Sequence, residues 1–588
     1  MVEKPKDPDR SDTLVQKFKY VVQNITVEPL VASLSICDRL KSIAVQNLNL
    51  EKACLVNLNY SQEVCRLIMK GQNISQYREA QKEGQELVAG MQIWNNFILY
   101  FFPCLLLLFM GSYSDRHNCR KPFMLLPILG NILMVIGLLI STYYFKEVSL
   151  NYVGLIEAIF PAITGSWIVF YMAVYTYISS RTSLKQRTFR IGLVSLSNSV
   201  ATPVGSALAG VIVREMGYYG TFSLVGVTYT LCLIYGYYNI DELPPKQTSD
   251  DALDCSAGKV KPSQLNNNIV LIENGGGREE GGGVVKDLYI QKIDMDDPSG
   301  DSENNNYKTS DLGNGLAKPS INSAASKGQS AFTVFLGDFF NCDNIKGTFR
   351  SLFNDSQFGN TPNRNVTIIL MMISVIVIFG PISGEFAIIY LYTRFRFNWN
   401  EIDYSIFSTV NTFTHLFGTM FSVVIFTKWL KVEDTIVGVI SVLSKIISGL
   451  IYAFASTPTV FFVGPFAALF SGTSFIAMRA IISKLTSAEE LGKVMSAFML
   501  FEAIAPMIYN PMYSAVYKNT LDIMPSCFFL LGEFLTLPAI FMFLWIYRED
   551  KKLKKAALIR EGSFKKQGID NPEFVQSTLD LGEGLKDK

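Results

Sequence analysis

Runs of mostly apolar residues recur along the chain, each closed by a short polar or charged stretch. A helix rises about 1.5 Å per residue, so roughly 20 apolar residues cross a hydrocarbon core about 30 Å thick. By that measure there are twelve candidate spans, near residues 27–50, 87–110, 122–144, 151–178, 189–213, 217–240, 366–392, 403–427, 435–456, 459–483, 491–517 and 526–548. The stretch between the sixth and seventh has a different character: segments such as NNNIVLIENGGGREEGGG and DDPSGDSENNNYK are too polar and glycine-rich to bury a core. The pattern predicts an all-α membrane protein with twelve transmembrane helices in two six-helix bundles. Its expected parts are a cytosolic segment 1–26, a first bundle 27–240 with an outer loop 51–86, a largely disordered cytosolic loop 241–365, a second bundle 366–548 and a cytosolic tail 549–588.

Composition narrows the function. The chain is 49% hydrophobic, 13% aromatic and 18% charged, an apolar excess that calls for a lipid-facing surface. A formal net charge of +1 gives no footing for nucleic acid. The 9 cysteines form no CxxC pair and there are only two histidines, His117 and His415, so neither a metal nor a cofactor is expected. With no GxxxxGK[ST] loop and no nucleophile motif, an enzyme or an ATP-driven pump is not expected either. Residues 1–23 lack the compact apolar core and small-residue cleavage site of a signal peptide, so the amino terminus is expected to stay cytosolic.

Lysine and arginine set the orientation, since short cytosolic loops collect them. Arg116, Arg120 and Lys121 follow the second span, Arg181, Lys185 and Arg187 the fourth, Lys428 and Lys431 the eighth, Lys484 the tenth, and Arg548, Lys551, Lys552, Lys554 and Lys555 the twelfth. The opposite loops are nearly bare of unpaired cations apart from Arg394 and Arg396. The acceptor sequons at Asn59 and Asn73 both fall in the first outer loop, as glycosylation sites should. Cys54 and Cys65 share that loop, where they either pair in an oxidising exterior or remain free thiols. The first span carries Asp38, Arg39 and Lys41 near its middle, each unfavourable by about 2.5–3.5 kcal/mol on insertion scales unless paired or facing water.

The sharpest motif is Gly111-Ser-Tyr-Ser-Asp115-Arg116-His-Asn-Cys-Arg120-Lys121 after the second span. Gly111 lets helices approach closely, and Asp115 sits where it can meet a helix amino end or an arginine of the cytosolic loops. With Arg116, Arg120, Arg187 and Arg190 it forms a candidate gate. The spacing resembles the G-x-x-x-D-R-x-x-x-R-K signature of the major facilitator superfamily, which implies two bundles rocking about a central site. Thr26-Val-Glu-Pro29, Arg187-Thr-Phe-Arg190, Asn344-Ile-Lys-Gly-Thr-Phe-Arg350, Met478-Arg479-Ala480 and Phe501-Glu-Ala-Ile-Ala-Pro506 extend the resemblance to solute carrier family 46, the proton-coupled folate transporter group. The family's tenth-helix arginine, tied to substrate and proton, matches Arg479. Its fifth-helix glutamate falls on Ser195, its fourth-helix aspartate on Ser166 and its seventh-helix histidine near Ile382. These replacements point away from proton-coupled folate uptake and leave open the branches that carry bulkier solutes, such as bacterial cell-wall fragments and cyclic dinucleotides.

Charges retained inside spans usually face a cavity or a partner. Arg479 suits an anionic carboxylate or phosphate. Trp94, Asn95, Asn96, Ser195 and Asn198 are candidates to line the solute path, and Glu157, Glu385, Glu502 and His415 to carry protons. Lys445 in the ninth span is a candidate ion-pair partner for a carboxylate. The expected function is secondary or facilitative transport of a small organic solute, an organic anion, across the plasma or endolysosomal membrane. The competing class is a transporter-like receptor or scaffold whose central loop recruits cytosolic partners while no solute crosses.

Overall fold

The structure, a computed structural model, describes residues 26–72, 76–117, 119–182, 184–241, 364–422, 425–426, 429–486 and 488–566. Among these residues there is no strand. The first span is helix Glu28–Lys52, with Pro29 in its opening turn, where a missing N–H leaves no bond unmade. A π-helical turn, Ala53–Asn57, extends it into a short helix, Gln62–Met69, in the loop expected outside, whose first turn is capped by the Ser61 hydroxyl accepting from the Val64 N–H. A Cys54–Cys65 disulfide with a Cα–Cα distance of 5.9 Å pins that helix to the end of the first span.

The second span is Arg78–His117 and the third Lys121–Tyr143. The fourth is two helices, Leu150–Thr164 and Ser166–Arg181, and the fifth and sixth share one helical run, Leu184–Asn239, that turns at Gly217 with φ 63°. The reversal there is visible at the far ends, because Arg190 and Tyr235 both bond Thr26. The second half comprises Arg364–Phe397, Glu401–Ser422 and Asp434–Phe454, then the segmented tenth span Pro458–Phe461, Gly464–Ala467 and Thr473–Leu485, then Ala488–Thr520 and Cys527–Lys566.

Seven described helical stretches are long and apolar enough to cross a membrane; one of them, Arg190–Asn239, contains both the fifth and sixth spans. The first, eighth, tenth and eleventh spans fall outside that set, the first because of its charges and the tenth because it is segmented. Yet the first runs the full height of its half. Thr26, just before its start, lies beside Arg190 and Tyr235, while the Lys52 ammonium at its other end donates to the carbonyls of Phe145 and Val148 between the third and fourth spans. The third span shows how lipid and core divide a helix. Leu126, Leu129, Leu133, Ile136 and Ile140, at alternating steps of three and four, are exposed, whereas Met124, Ile128, Val135 and Leu138 are buried.

Among the described residues the halves meet along several helix pairs. Between the second and eleventh spans, Cys104 and Leu107 pack against Leu500 and Ala503. Between the fifth and eighth, small residues permit near contact: the Gly210 N–H donates to the Ser405 hydroxyl at 2.8 Å, and that hydroxyl donates to the Ser206 carbonyl at 2.5 Å. Between the first and seventh, Tyr390 and Arg394 reach Asn47.

Candidate functional site

The sequence predicts uninterrupted spans at 151–178 and 459–483; in the structure both are broken. In the fourth, Pro161 supplies no N–H, and Gly165 (φ 95°) and Ser166 (φ 53°) turn left-handed, a region that glycine enters freely and serine does not. In the tenth, Gly464, Pro465 and Gly472 divide the helix, and a methyl on Gly472 would come within 2.6 Å of His415 Nε2. The fourth and tenth spans hold corresponding places in the two halves. Interrupted helices at such matched positions are a hallmark of transporter binding sites, because irregular backbone is tolerated in a membrane only where protein or a watery cavity surrounds it.

At the first break lies a small cavity lined by Leu34, Ser35, Asp38, Pro127, Ile128, Asn131, Ser166, Trp167, Phe170 and Tyr171. Asn198 of the fifth span faces the same place: its Oδ1 accepts from the Ser35 hydroxyl at 2.6 Å and from the Tyr171 hydroxyl at 3.0 Å. Asp38 accepts from Lys41 at 3.0 Å and from Tyr229 at 2.7 Å, and Lys41 also donates to Asn131 at 3.2 Å, so a polar knot joins the first, third and sixth spans. The second half has a knot at the corresponding junction of the seventh, ninth and twelfth. The Lys445 ammonium lies 2.7 Å from Glu385 and 2.9 Å from Glu533. Glu533 is not among the sequence candidates, although a carboxylate seven residues into an apolar helix is itself the signal that would find it. Ser35 and Tyr171 give no such signal, since a lone hydroxyl in an apolar run is ordinary.

Arg479 and Glu502 come together at 3.2 Å between the tenth and eleventh spans, with the Arg479 side chain 45% exposed and its guanidinium 5.7 Å from the Phe498 ring. The remaining candidates are dispersed. Asn95 is buried and donates to the Gly154 carbonyl at 2.7 Å, and Trp94 packs at Gly154, so both fasten the second span to the fourth. Asn96 is half-buried. Glu157 accepts from Asn49 at 3.3 Å. Ser195 is exposed, its hydroxyl turned back to the Ile191 carbonyl.

Of the candidate gate, Arg190 pairs with Glu28 at 3.3 Å inside the first half, and Arg120 is buried at the start of the third span. The side chains of Gly111, Asp115, Arg116 and Arg187 lie outside the described residues, as does Asn73. Asn59 is exposed, with φ 56°.

The face that the charge pattern assigns to the outside is closed by a second arginine. Arg394, 4% exposed, donates to Asn47 Oδ1 at 2.5 Å, to the Tyr390 hydroxyl at 2.8 Å and to the Met69 carbonyl at 2.6 Å, while its own carbonyl accepts from Gln81 at 3.2 Å. Beside it Gln85 accepts from Tyr517 at 3.2 Å and Lys82 meets Asp522 at 2.6 Å. Arg394 breaks the loop-charge pattern because it is buried.

The Major Facilitator Superfamily profile matches residues 85–439. Over 517 residues the chain is 18% identical to a protein of Drosophila melanogaster named probable peptidoglycan muropeptide transporter, of solute carrier family 46, covering 87% of this chain and 83% of the relative. It is 20% identical to solute carrier family 46 member 2 of Mus musculus, over 87% and 90% of the two chains. A lysosomal proton-coupled steroid conjugate and bile acid symporter of Gallus gallus is 26% identical over 134 residues, 23% of this chain and 28% of the relative. Among solved structures, a POT family transporter in complex with 5-aminolevulinic acid superposes with a TM-score of 0.51 at 11% identity, covering 89% of this chain and 96% of that one. Family and relatives alike are transporters rather than enzymes, and the profile spans more than half the sequence: this chain, a multi-pass integral membrane protein that carries small solutes, belongs to the Major Facilitator Superfamily.

Proposed function

We propose that the chain carries a small organic anion across the membrane by alternating access, with Arg479 as an anion contact and with proton coupling through Glu157, Glu385, Glu502 or His415. The observation that supports it most is the matched interruption of the fourth and tenth spans, with a cavity and the hydroxyls of Ser35, Ser166 and Tyr171 at the first break. The relatives' names describe muropeptide, steroid-conjugate and bile-acid transport. Solutes of those classes combine an acidic group with an apolar or bulky body, a chemistry that a guanidinium beside aromatic rings suits. Glu502 competes with such a solute for Arg479, so protonating Glu502 would free the guanidinium and couple the two ligands. This reading places residues 1–26, 241–365 and 549–588 in the cytosol and the protein in the plasma or endolysosomal membrane.

Uptake into vesicles carrying the purified chain tests it. Reduced folates, muropeptides, cyclic dinucleotides, a bile acid and a steroid sulfate would be offered at about pH 5.5 and about pH 7.4, on either side of the histidine pKa. Saturable, acid-stimulated uptake of at least one anion is expected, and Arg479→Ala that still inserts should lower it by about 10–100-fold, the worth of one charge-assisted contact. No flux of any of these solutes would leave the receptor or scaffold reading in its place. Full uptake by Arg479→Ala would remove the anion-contact role alone.

A further inference from the structure

Arg39 stands midway along the first span and is the one ion of the Asp38, Arg39 and Lys41 trio with no ion pair among the described residues. Asp38 is occupied by Lys41 and the Tyr229 hydroxyl. Neighbouring residues on a helix point about 100° apart, so Arg39 leaves that knot and turns toward the second half. There its guanidinium lies over the Phe386 ring of the seventh span, 4.7 Å from the centroid. Tyr404 of the eighth span, the neighbouring Asp38 and Tyr171 of the fourth are near enough to act on its charge, Asp38 from beyond ion-pair distance, and its Cβ lies against Gly205 of the fifth. Among the described residues no carboxylate sits at ion-pair distance and no acceptor takes its N–H groups.

An unmatched guanidinium inside a membrane protein is unfavourable, and one set between two halves that must move past each other calls for a ligand. The contact with Phe386 uses the π face of the ring and no N–H donor bond, so the guanidinium's fork of donors is what a carboxylate, sulfate or phosphate would take bidentately. Tyr171 also lines the cavity at the first break, so a solute anchored at Arg39 has an aromatic wall beside it.

We propose that Arg39 is the principal contact for the acidic group of the transported solute, in a site that Tyr171 of one half and Phe386 and Tyr404 of the other complete. This rests on the organic-anion reading above and assigns its charge to a different residue. Arg479 already pairs with Glu502, whereas Arg39 has no carboxylate at ion-pair distance among the described residues. A bound anion would also tie first span to seventh and eighth, giving the halves a reason to close over it.

The test measures binding and flux separately on the full-length protein in lipid vesicles, with a steroid sulfate, a bile acid and a muropeptide as probes, each beside an uncharged analogue. Wild type is expected to bind at least one anion, Arg39→Gln to bind it about 100-fold more weakly, and Arg39→Lys to recover part of the loss. The uncharged analogue should distinguish none of the three proteins, which separates a lost contact from a lost fold. Equal anion binding by wild type and Arg39→Gln overturns the assignment while leaving anion transport standing. Arg39-dependent binding without flux supports the assignment and overturns the transport reading. No binding of any probe by wild type overturns both.

Discussion

Lys445→Met is expected to be the most damaging single substitution in the second half, lowering the melting temperature of the detergent-solubilised protein by on the order of 10 °C or preventing its accumulation in the membrane. The Lys445 ammonium is held between both oxygens of Glu385, at 2.7 and 3.0 Å, and one oxygen of Glu533, at 2.9 Å, with all three side chains at most 10% exposed. Methionine matches the length of the lysine stem and keeps its packing, so the change isolates the charge. Two buried carboxylates would then face each other with no cation between them. Breaking a buried pair in this way typically costs about 3–5 kcal/mol, a large part of the stability of most folds. Removing the charges together should be far milder: Glu385→Gln, Lys445→Met and Glu533→Gln combined are expected to recover most of the loss, because the desolvation cost disappears with the attraction. Glu533→Gln alone should weigh less than Glu385→Gln, since Glu533 offers the ammonium a single oxygen. Thermal unfolding that is the same for Lys445→Met and wild type would mean that the knot is not what holds the seventh, ninth and twelfth spans together.

Hydropathy carried most of the architecture, and it did so where helix and lipid alone decide the outcome. The third, ninth and first spans, expected at 122–144, 435–456 and 27–50, are Lys121–Tyr143, Asp434–Phe454 and Glu28–Lys52. Hydropathy does not show the breaks in the fourth and tenth, because a window averages over a single left-handed residue; Pro161 followed by Gly165, and Gly464-Pro465 with Gly472, are the local signs. Intramembrane charges were legible as residues that need partners, but the partners were not. Nothing in the spacing of Asp38, Asn131 and Tyr229, or of Glu385, Lys445 and Glu533, says that they meet, since each trio spans three helices whose order in space depends on tertiary packing. That both trios occupy corresponding junctions is what two halves of one repeated design would give. The same limit applies to Arg39 and Arg479: both look like buried cations in sequence, and only the structure gives one a carboxylate and the other an aromatic face.

Arg394→Ala is expected to release the outer face. In the closed arrangement the guanidinium bonds the first span through Asn47, its own span through Tyr390 and the outer helix through the Met69 carbonyl, so one side chain joins three elements that must separate when the outer side opens. Hydrogen bonds to a charged group contribute about 1.5–3 kcal/mol each in a buried setting, and water recovers part of that once the face opens. A net loss of about 2 kcal/mol moves the closed-to-open ratio about 30-fold toward the open state. Ile43 is buried one turn below Asn47 on the first span, and a cysteine placed there reports the opening. Its labelling by a membrane-impermeant maleimide from outside should accelerate about 10-fold or more when Arg394→Ala is added, measured against Arg394→Ala without that cysteine. Reducing the Cys54–Cys65 disulfide should act in the same direction and more weakly, because it loosens the helix that presents Met69 without removing the guanidinium. An unchanged labelling rate would place the closing force in the Ser206–Ser405 and Cys104–Ala503 contacts instead, where small residues rather than a charge hold the halves together.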